Sequence, residues 1–333
     1  MAADPATLPE TVTPDRDDGH GRPRALTVAT VLASVVVAVP TVAVALGREP
    51  GPLAVATALM PFVAVLAAFG LLLALLSRSP ASIAVAATLL AVNIAWQLPL
   101  YVADPGGTGS PVLRVAASNL RYGRGDAQTV VDLVRSQRVD VLALEELTPD
   151  AVRRLHDAGL DELLPYHLAL PETTYAGSGL WSRTPLTDAR PVDGLGAHAV
   201  AGVVTDAGGA RVTVVSVHPL APGVDRHGGR DRDYGVLRAA LATIPGSVVV
   251  AGDFNATRDQ APFRDLESDG FLDGADQAGA GFGPTYPNDD GRHPVVAIDH
   301  VVARDLPQRA VSWQTFDVPG SDHRAVVAVY AQR

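Results

Sequence analysis

Val248-Val249-Val250-Ala251-Gly252-Asp253-Phe254-Asn255 is the stretch on which the fold of this chain turns. Its first four residues form a continuous apolar run, the pattern of a strand buried on both faces. The Gly-Asp-Phe-Asn that follows sets a carboxylate and an amide directly at the strand's end. A strand end is a rigid mount that opens on solvent, suited to holding reactive groups. A lone Asp after a strand is ordinarily a turn residue, so the motif gains weight only if it recurs.

It does recur. Val112 to Asn119 alternates as a strand and ends on Asn119. Val139 to Leu144 reads as a buried strand, followed by Glu145 and Glu146. The Val-rich run Val212 to Val217 ends on His218. Asp299 and His300 interrupt the strand around Ile298, and Asp322 and His323 precede the last strand, Ala325 to Tyr330. Gly179 to Ser182 and Ala199 to Thr205 are further strands. Helical spacing covers Asp126 to Gln137, Thr148 to Ala158 and Asp233 to Ile244. Thr148 suits an N-cap and Pro149 the first helical position. Many strands with few helices predict two sheets packed face to face, with helices outside.

Composition narrows the chemistry. The chain has 333 residues, a net charge of -10 and no Cys. Without Cys there is neither a disulfide framework nor a thiolate ligand. From residue 103 onward, 21 Arg face 30 Asp and Glu. A protein that grips long nucleic acid shows a basic face, so this balance argues against tight non-specific DNA binding. Every cationic side chain is Arg, which reads as compositional bias. Carboxylates with Asn and His are hard donors that favour Mg²⁺, Mn²⁺ or Ca²⁺ over zinc. Such an ion neutralises phosphate charge and activates water near neutral pH. A His whose tautomer is fixed by a carboxylate can act as general base. His323 with Asp299 or Asp322 meets that need.

The first hundred residues have another character. Residues 1–24 are polar, rich in Pro and Asp, and predicted to be disordered. Three apolar runs follow, Ala25 to Leu46, Leu53 to Leu76 and Ala81 to Val102. Each has about 22 residues, which at ~1.5 Å per residue spans a ~30 Å hydrocarbon core. The first is too long for the ~7–15 apolar residues of a signal peptide. Arg16, Arg22 and Arg24 precede the first run, Arg78 separates the second and third, and Arg48 alone marks the first loop. The positive-inside rule then predicts a cytoplasmic N-terminus and a C-terminal domain outside the cell membrane. Asn93 and Gln97 in the third run suit interhelical hydrogen bonds; an outer-interface position also explains Gln97. Residues 103–111 are expected to form a short linker, and 112–333 the C-terminal domain.

In their order along the chain, these residues resemble the endonuclease/exonuclease/phosphatase superfamily, whose fold is DNase I-like. The resemblance spans about residues 112–332. It implies an α+β fold, a four-layer α/β/β/α sandwich, here preceded by three transmembrane helices. It also implies a hydrolase of phosphoesters that depends on Mg²⁺ or Mn²⁺. Asn119 looks like that family's first-strand Asn at the metal site. Glu146 falls where the family has its metal-binding Glu. Glu145 falls where Gln is commonest, a departure expected to add negative charge beside the metal. Ser182-Arg183-Thr184-Pro185-Leu186 is similar to a Ser-Arg-x-Pro-Leu segment, which puts Arg183 among the expected substrate contacts. His218-Pro219 resembles a phosphate-contacting histidine. Asp253 and Asn255 match residues that position the nucleophile and the phosphate. Asp299 resembles the Asp that orients the catalytic His, which is His323, with Asp322 near the metal.

Fold does not choose among phosphoesters. One expectation is a lipid or lipid-carrier phosphatase, its membrane anchor raising the local concentration of substrate. Teicoplanin-resistance membrane proteins resemble this layout, with three spans before an outward-facing domain acting on undecaprenyl pyrophosphate. His218-Pro219-Leu220-Ala221-Pro222 looks like that branch. The alternative is an outward-facing nuclease on DNA or RNA. A degenerate binding domain is disfavoured by motifs intact at every position. No obligate protein partner is expected. Arg226, Arg230 and Arg232 suit a diphosphate clamp, but Asp225, Asp231 and Asp233 are interleaved, so a solvated, salt-bridged loop is the expectation. Thr285-Tyr286-Pro287 and Arg292 are expected at the pocket entrance. His20, His156, His167, His198, His227 and His293 have no motif support.

Overall fold

The computed structural model of the chain describes residues 21–106, 109–222, 229–289 and 291–332. The expected disordered tail, with Arg16, lies outside the described residues up to residue 20. Residues 21–24 already belong to the first helix.

The apolar N-terminal runs form α1 (Gly21–Leu46), α2 (Pro52–Ala58), α3 (Met60–Ser77) and α4 (Pro80–Gln97), the last continued by a 3-10 turn over Leu98–Tyr101. Three of them, α1, α3 and α4, are long and apolar enough to cross a membrane. The second run was expected to be continuous from Leu53 to Leu76, yet it breaks between α2 and α3. Pro61 lacks an N–H and its ring clashes with an unbroken helix. Leu59 turns the chain there, and its carbonyl accepts from both Phe62 N and Val63 N. Inside the bundle Asn93 Nδ2 donates to Thr41 Oγ1 at 3.1 Å, tying α4 to α1 as expected. Gln97 does something else: its Nε2 donates to Asp259 Oδ1 of the C-terminal domain at 3.1 Å.

After the linker come β1 (Pro111–Asn119), α5 (Ala127–Gln137), β2 (Val141–Glu145), α6 (Pro149–Asp157), α7 (Leu160–Leu163), β3 (Tyr166–Leu170) and β4 (Ser178–Ser182). Then follow β5 (Thr187–Val192), β6 (Ala199–Thr205), β7 (Arg211–Val217), α8 (Gly229–Ala242), β8 (Val248–Asp253), α9 (Ala261–Ser268), β9 (Leu272–Asp273) and α10 (Gly274–Ala278). β10 (Asp299–Arg304), β11 (Arg309–Asp317) and β12 (Arg324–Ala331) complete the domain. Strands β11-β12-β1-β2-β4-β3 make one six-stranded sheet and β5-β6-β7-β8-β10-β9 the other. The central pairs β1–β2 and β7–β8 are parallel.

The two sheets meet face to face. Because side chains alternate along a strand, Val115 and Ala117, Val141 and Ala143, Val249 and Ala251, and Val301 and Ala303 form the shared core. The opposite faces also bury apolar side chains. Ala116, Leu142 and Leu144 pack under α5 and α6, and Val248 and Val250 under α8 and α9. Both faces being covered explains the continuous apolar runs. The result is the four-layer sandwich of helices, sheet, sheet and helices.

The same alternation places the polar residues. Asn119, Glu145, Ser216 and Asp253 each continue an inward row by two residues, at the C-terminal ends of β1, β2, β7 and β8. Asp299 begins β10, which runs antiparallel to β8, and it lies directly opposite Asp253 in register. His323 likewise just precedes β12, which runs antiparallel to β1. One edge of the sandwich therefore collects them all. Gly252 is required for this. Its φ is +147°, and a Cβ there would lie 2.1 Å from the Val217 carbonyl oxygen. Gly252→Ala must push β8 away from β7, at a cost of at least ~2 kcal/mol for the strained backbone. The expected result is a lower thermal midpoint in detergent, with catalytic activity lost in parallel.

The N-terminal helical bundle docks on the segment just after Asn255. Gln260 Nε2 donates to the Ala54 carbonyl of α2 at 2.7 Å, and Ala261 N to Glu49 Oε1 at 2.8 Å. Arg258 donates to the Trp96 carbonyl at 3.1 Å. Phe62 meets Phe282 edge-on at 5.8 Å. The C-terminal ends of α1 and α4 and the start of α3 thus lie against the catalytic domain. Arg78 sits at the far end of α3.

Candidate active site

A cavity of about 1060 Å³ opens at this edge of the sandwich. Among its walls are Glu146, His218, Asp253, Asn255, Asp322 and His323. Asp253 is the hub. Its Oδ2 accepts from Asn119 Nδ2 at 3.0 Å and lies 3.5 Å from His218 Nε2 and 3.7 Å from His323 Nε2. Its Oδ1 accepts from Asn255 N at 2.8 Å. Asn255 takes a left-handed φ of 48°, a conformation Asn tolerates better than most residues. Its Nδ2 donates to the Pro219 carbonyl at 3.0 Å, joining the β8 and β7 ends.

Asn119 Nδ2 also donates to Glu146 Oε1 at 3.2 Å, while its Oδ1 accepts from Arg121 N at 2.8 Å. Asn119 therefore presents a donor that bridges two carboxylates, and its oxygen is already engaged. Glu146 stands one residue past β2 at a φ of 52°, with Oε2 accepting from Tyr122 N at 2.8 Å.

Asp299 fixes His323: its two oxygens lie 3.0 and 3.2 Å from Nδ1, which leaves Nε2 to face Asp253. The Tyr286 ring packs 4.8 Å from the His323 ring, in the segment expected at the entrance. Burial disfavours charge on His323, but Asp299 and Asp253 outweigh it and push its pKa up to about 10. Burial also raises Asp299, against the opposing pull of His323.

Several expectations need correction. Arg183 is not in the site. β4 runs antiparallel to β2, so Ser182 pairs with Val141 at the opposite end of the sheet. There Arg183 donates to the Val139 carbonyl at 2.7 Å and pairs with Asp140 at 3.4 Å. Glu145 does not add charge beside a metal. It is wholly buried between the sheets, takes a hydrogen bond from Ser216 at 3.1 Å, and burial with Asp299 and Asp253 nearby pushes its carboxyl well up, favouring the neutral acid. Asp322 faces Arg121 at 3.6 Å. His300 alternates to the far face, where it pairs with Asp273 at 2.8 Å. Arg292 pairs with Asp289. Arg226, Asp225 and His227 lie outside the described residues. Asp233 is not in a solvated loop: it lies on α8, is buried, pairs with Arg232 at 3.8 Å and accepts from Gly196 N and Leu220 N.

Sequence reasoning missed the opposite wall. Glu49, Pro50, Gly51, Ala54, Val55 and Ala58, from the first interhelical loop and α2, line the same cavity. Their only sequence signal was a charged residue in a short loop otherwise read as the start of a span. Tyr122 and Tyr175 were missed as well.

The site fits a divalent cation. Asp253, Asp299 and His323 offer ligand atoms within 4.8 Å of one another, with Glu146 joined to them through Asn119. The donors are mostly carboxylate oxygens, the set that hard cations take. The buried Nδ1 of His218 and Oε2 of Glu145 have no partner among the described residues. The elevated His323 pKa reports surplus negative charge that a cation would offset.

Solved structures share this architecture. A humanized D. rerio TDP2 carrying 14 mutations superposes with a TM-score of 0.55 at 17% identity, over 67% of this chain and 100% of its own. An endonuclease/exonuclease/phosphatase from Beutenbergia cavernae gives 0.52 at 21%, over 67% and 72%. A conserved protein of unknown function from Enterococcus faecalis gives 0.54 at 17%, over 66% and 100%. At such identities the likeness is one of fold. A search of curated protein sequences gives no match. Residues 116–323 match the profile of the Endonuclease/Exonuclease/phosphatase family. Strand order, site geometry and profile agree, and the chain belongs to that family of metal-dependent phosphoester hydrolases.

Proposed function

We propose that this protein is a membrane-anchored hydrolase of a lipid-linked phosphoester, such as the pyrophosphate of an undecaprenyl carrier, working at the outer face of the cell membrane. One observation carries the reading: part of the cavity wall comes from the loop and short α2 that join the first two helices long and apolar enough to cross a membrane. Ala54, Val55 and Ala58 present an apolar surface across from the carboxylates. A phosphate at the sheet edge and an aliphatic chain along α2 fit one amphiphile. A long nucleic acid would have to pass that wall, on a domain with an acidic balance. Arg16 before α1, Arg22 and Arg24 in its first turn, and Arg78 after α3 support a cytoplasmic N-terminus and an outward catalytic domain.

Bound to Glu146, Asp253 and their neighbours, Mg²⁺ or Mn²⁺ would neutralise phosphoryl charge and lower the pKa of water. The chain's own residues do the rest. Asp299 holds His323 so that Nε2 can take a proton from the attacking water. Asp253 orients that water. Asn255 and His218 contact the phosphoryl oxygens. The water oxygen bonds to the terminal phosphorus, the P–O bond to the leaving oxygen breaks, and its electron pair leaves on that oxygen with the lipid, as the lipid monophosphate where the substrate is a diphosphate.

The α2 wall supplies the test. In vesicles, Val55→Asp is expected to lower kcat/KM on a long-chain lipid phosphoester at least about tenfold more than on a short-chain ester, since burying a charge beside the chain is costly. Equal losses on both esters would remove α2 from substrate recognition.

A further inference from the structure

We propose that Arg230 forms a second anion subsite, holding the phosphoryl group that leaves with the lipid, and so selects diphosphate esters over monophosphates. This rests on the lipid-phosphoester reading above and names its substrate class.

Two arginines line the cavity among its described residues, Arg121 and Arg230. Arg121 is neutralised, 3.3 Å from Asp289 and 3.6 Å from Asp322. Arg230 has a weaker counter-charge. Its side chain is 11% exposed, and one terminal guanidinium nitrogen is buried with no hydrogen-bond partner among the described residues. Among those residues its ion pair is with Asp231, 3.7 Å from Nε and itself 76% exposed to solvent. Glu49 across the cavity feels the charge of Arg230. Yet it forms no ion pair with it among the described residues, and burial favours its neutral form. A largely buried cation whose counter-charge is solvent-exposed and reaches only Nε is stabilised when a further anion meets its terminal nitrogens.

Position gives the anion its identity. Arg230 is the second residue of α8, whose first turn faces the cavity. Its charge also reaches Tyr234, whose hydroxyl donates to the Phe254 carbonyl in the Asp253–Asn255 loop. Arg230 thus lines the same cavity as Asp253, Asn255 and the α2 wall. A terminal phosphoryl group at Asp253 and Asn255 would bring the next phosphoryl group of a diphosphate toward Arg230. Water forms a bond to the terminal phosphorus, and the bond from that phosphorus to the bridging oxygen breaks. The electron pair stays on the lipid phosphate, where charge accumulates. A planar guanidinium matches two of its oxygens at once. A monophosphate ester has no such group to offer.

The test uses the full-length protein in vesicles with Mg²⁺ and compares Arg230→Gln and Arg230→Lys with the parent. The substrates are a prenyl diphosphate and the prenyl monophosphate of equal chain length. For Arg230→Gln the diphosphate-to-monophosphate ratio of kcat/KM is expected to fall about 30-fold or more, with partial recovery in Arg230→Lys. An unchanged ratio, or equal loss on both substrates, overturns the proposal. A second measurement does not need lipid turnover. Methylenediphosphonate should bind the parent at least about tenfold more tightly than Arg230→Gln, and methylphosphonate should not discriminate them. Equal methylenediphosphonate affinities overturn the subsite. A parent that binds methylenediphosphonate in this Arg230-dependent way but releases no phosphate from any lipid contradicts the lipid reading alone.

Discussion

Asp253→Ala is expected to lower kcat roughly 10³- to 10⁵-fold while leaving the fold intact, because the residues around it act as a unit. Asp253 Oδ2 takes a hydrogen bond from Asn119 and lies within 3.7 Å of both His218 and His323. Removing it loosens the amide bridge to Glu146 and takes away the carboxylate that faces His323 Nε2. The side chain sits at the end of a row whose inner members, Val249 and Ala251, carry the packing. Circular dichroism and the thermal midpoint in detergent should therefore stay near those of the parent. A variant that keeps more than a tenth of parental kcat would remove Asp253 from the chemistry.

The second large effect is metal removal. Chelation is expected to abolish turnover, and Mg²⁺ or Mn²⁺ to restore it. Full activity in excess chelator would contradict the metal assignment. The same experiment has a pH signature. In the metal-free protein His323 is held up to about 10 by Asp299 and Asp253, against burial. A folded pKa raised above the unfolded value adds stability below about pH 6.5, and this is lost as pH rises toward 10. The metal-free thermal midpoint should thus fall across that window. His323→Gln should flatten the fall, and bound cation should move it to lower pH. A slope unchanged by His323→Gln would assign it to other groups.

Much of this site could be read from the sequence because period-2 alternation ties position to face. Asn119, Glu145 and Asp253 follow apolar rows by two residues, so a strand reading already turned them inward. Asp299 looked like a strand interruption, and His323 like a residue ahead of the last strand. They reach the same edge because β10 and β12 run antiparallel to their neighbours, which needs sheet topology. Arg183, expected in the site from its likeness to a Ser-Arg-x-Pro-Leu segment, follows β4, whose antiparallel run carries it to the opposite end of the sheet. Glu145 was misread because charge in a sequence is formal, whereas burial between two sheets favours the neutral acid. The α2 wall was hidden by composition. Leu53 to Ala58 is as apolar as a span, and Pro61 alone hinted at the break. Arg230 was masked by its acidic neighbours, of which Asp233 turns away to cap backbone amides at Gly196 and Leu220.

The central claim is that a membrane-derived wall directs a phosphoesterase site toward lipid. Its most direct test is a side-by-side assay of the full-length protein in vesicles with Mg²⁺. Phosphate release from embedded undecaprenyl pyrophosphate is measured against nicking of supercoiled plasmid DNA. The expected result is metal-dependent phosphate release, abolished in Asp253→Ala, with no nicking above that variant's background. Robust nicking without lipid turnover would contradict the account and identify a nuclease.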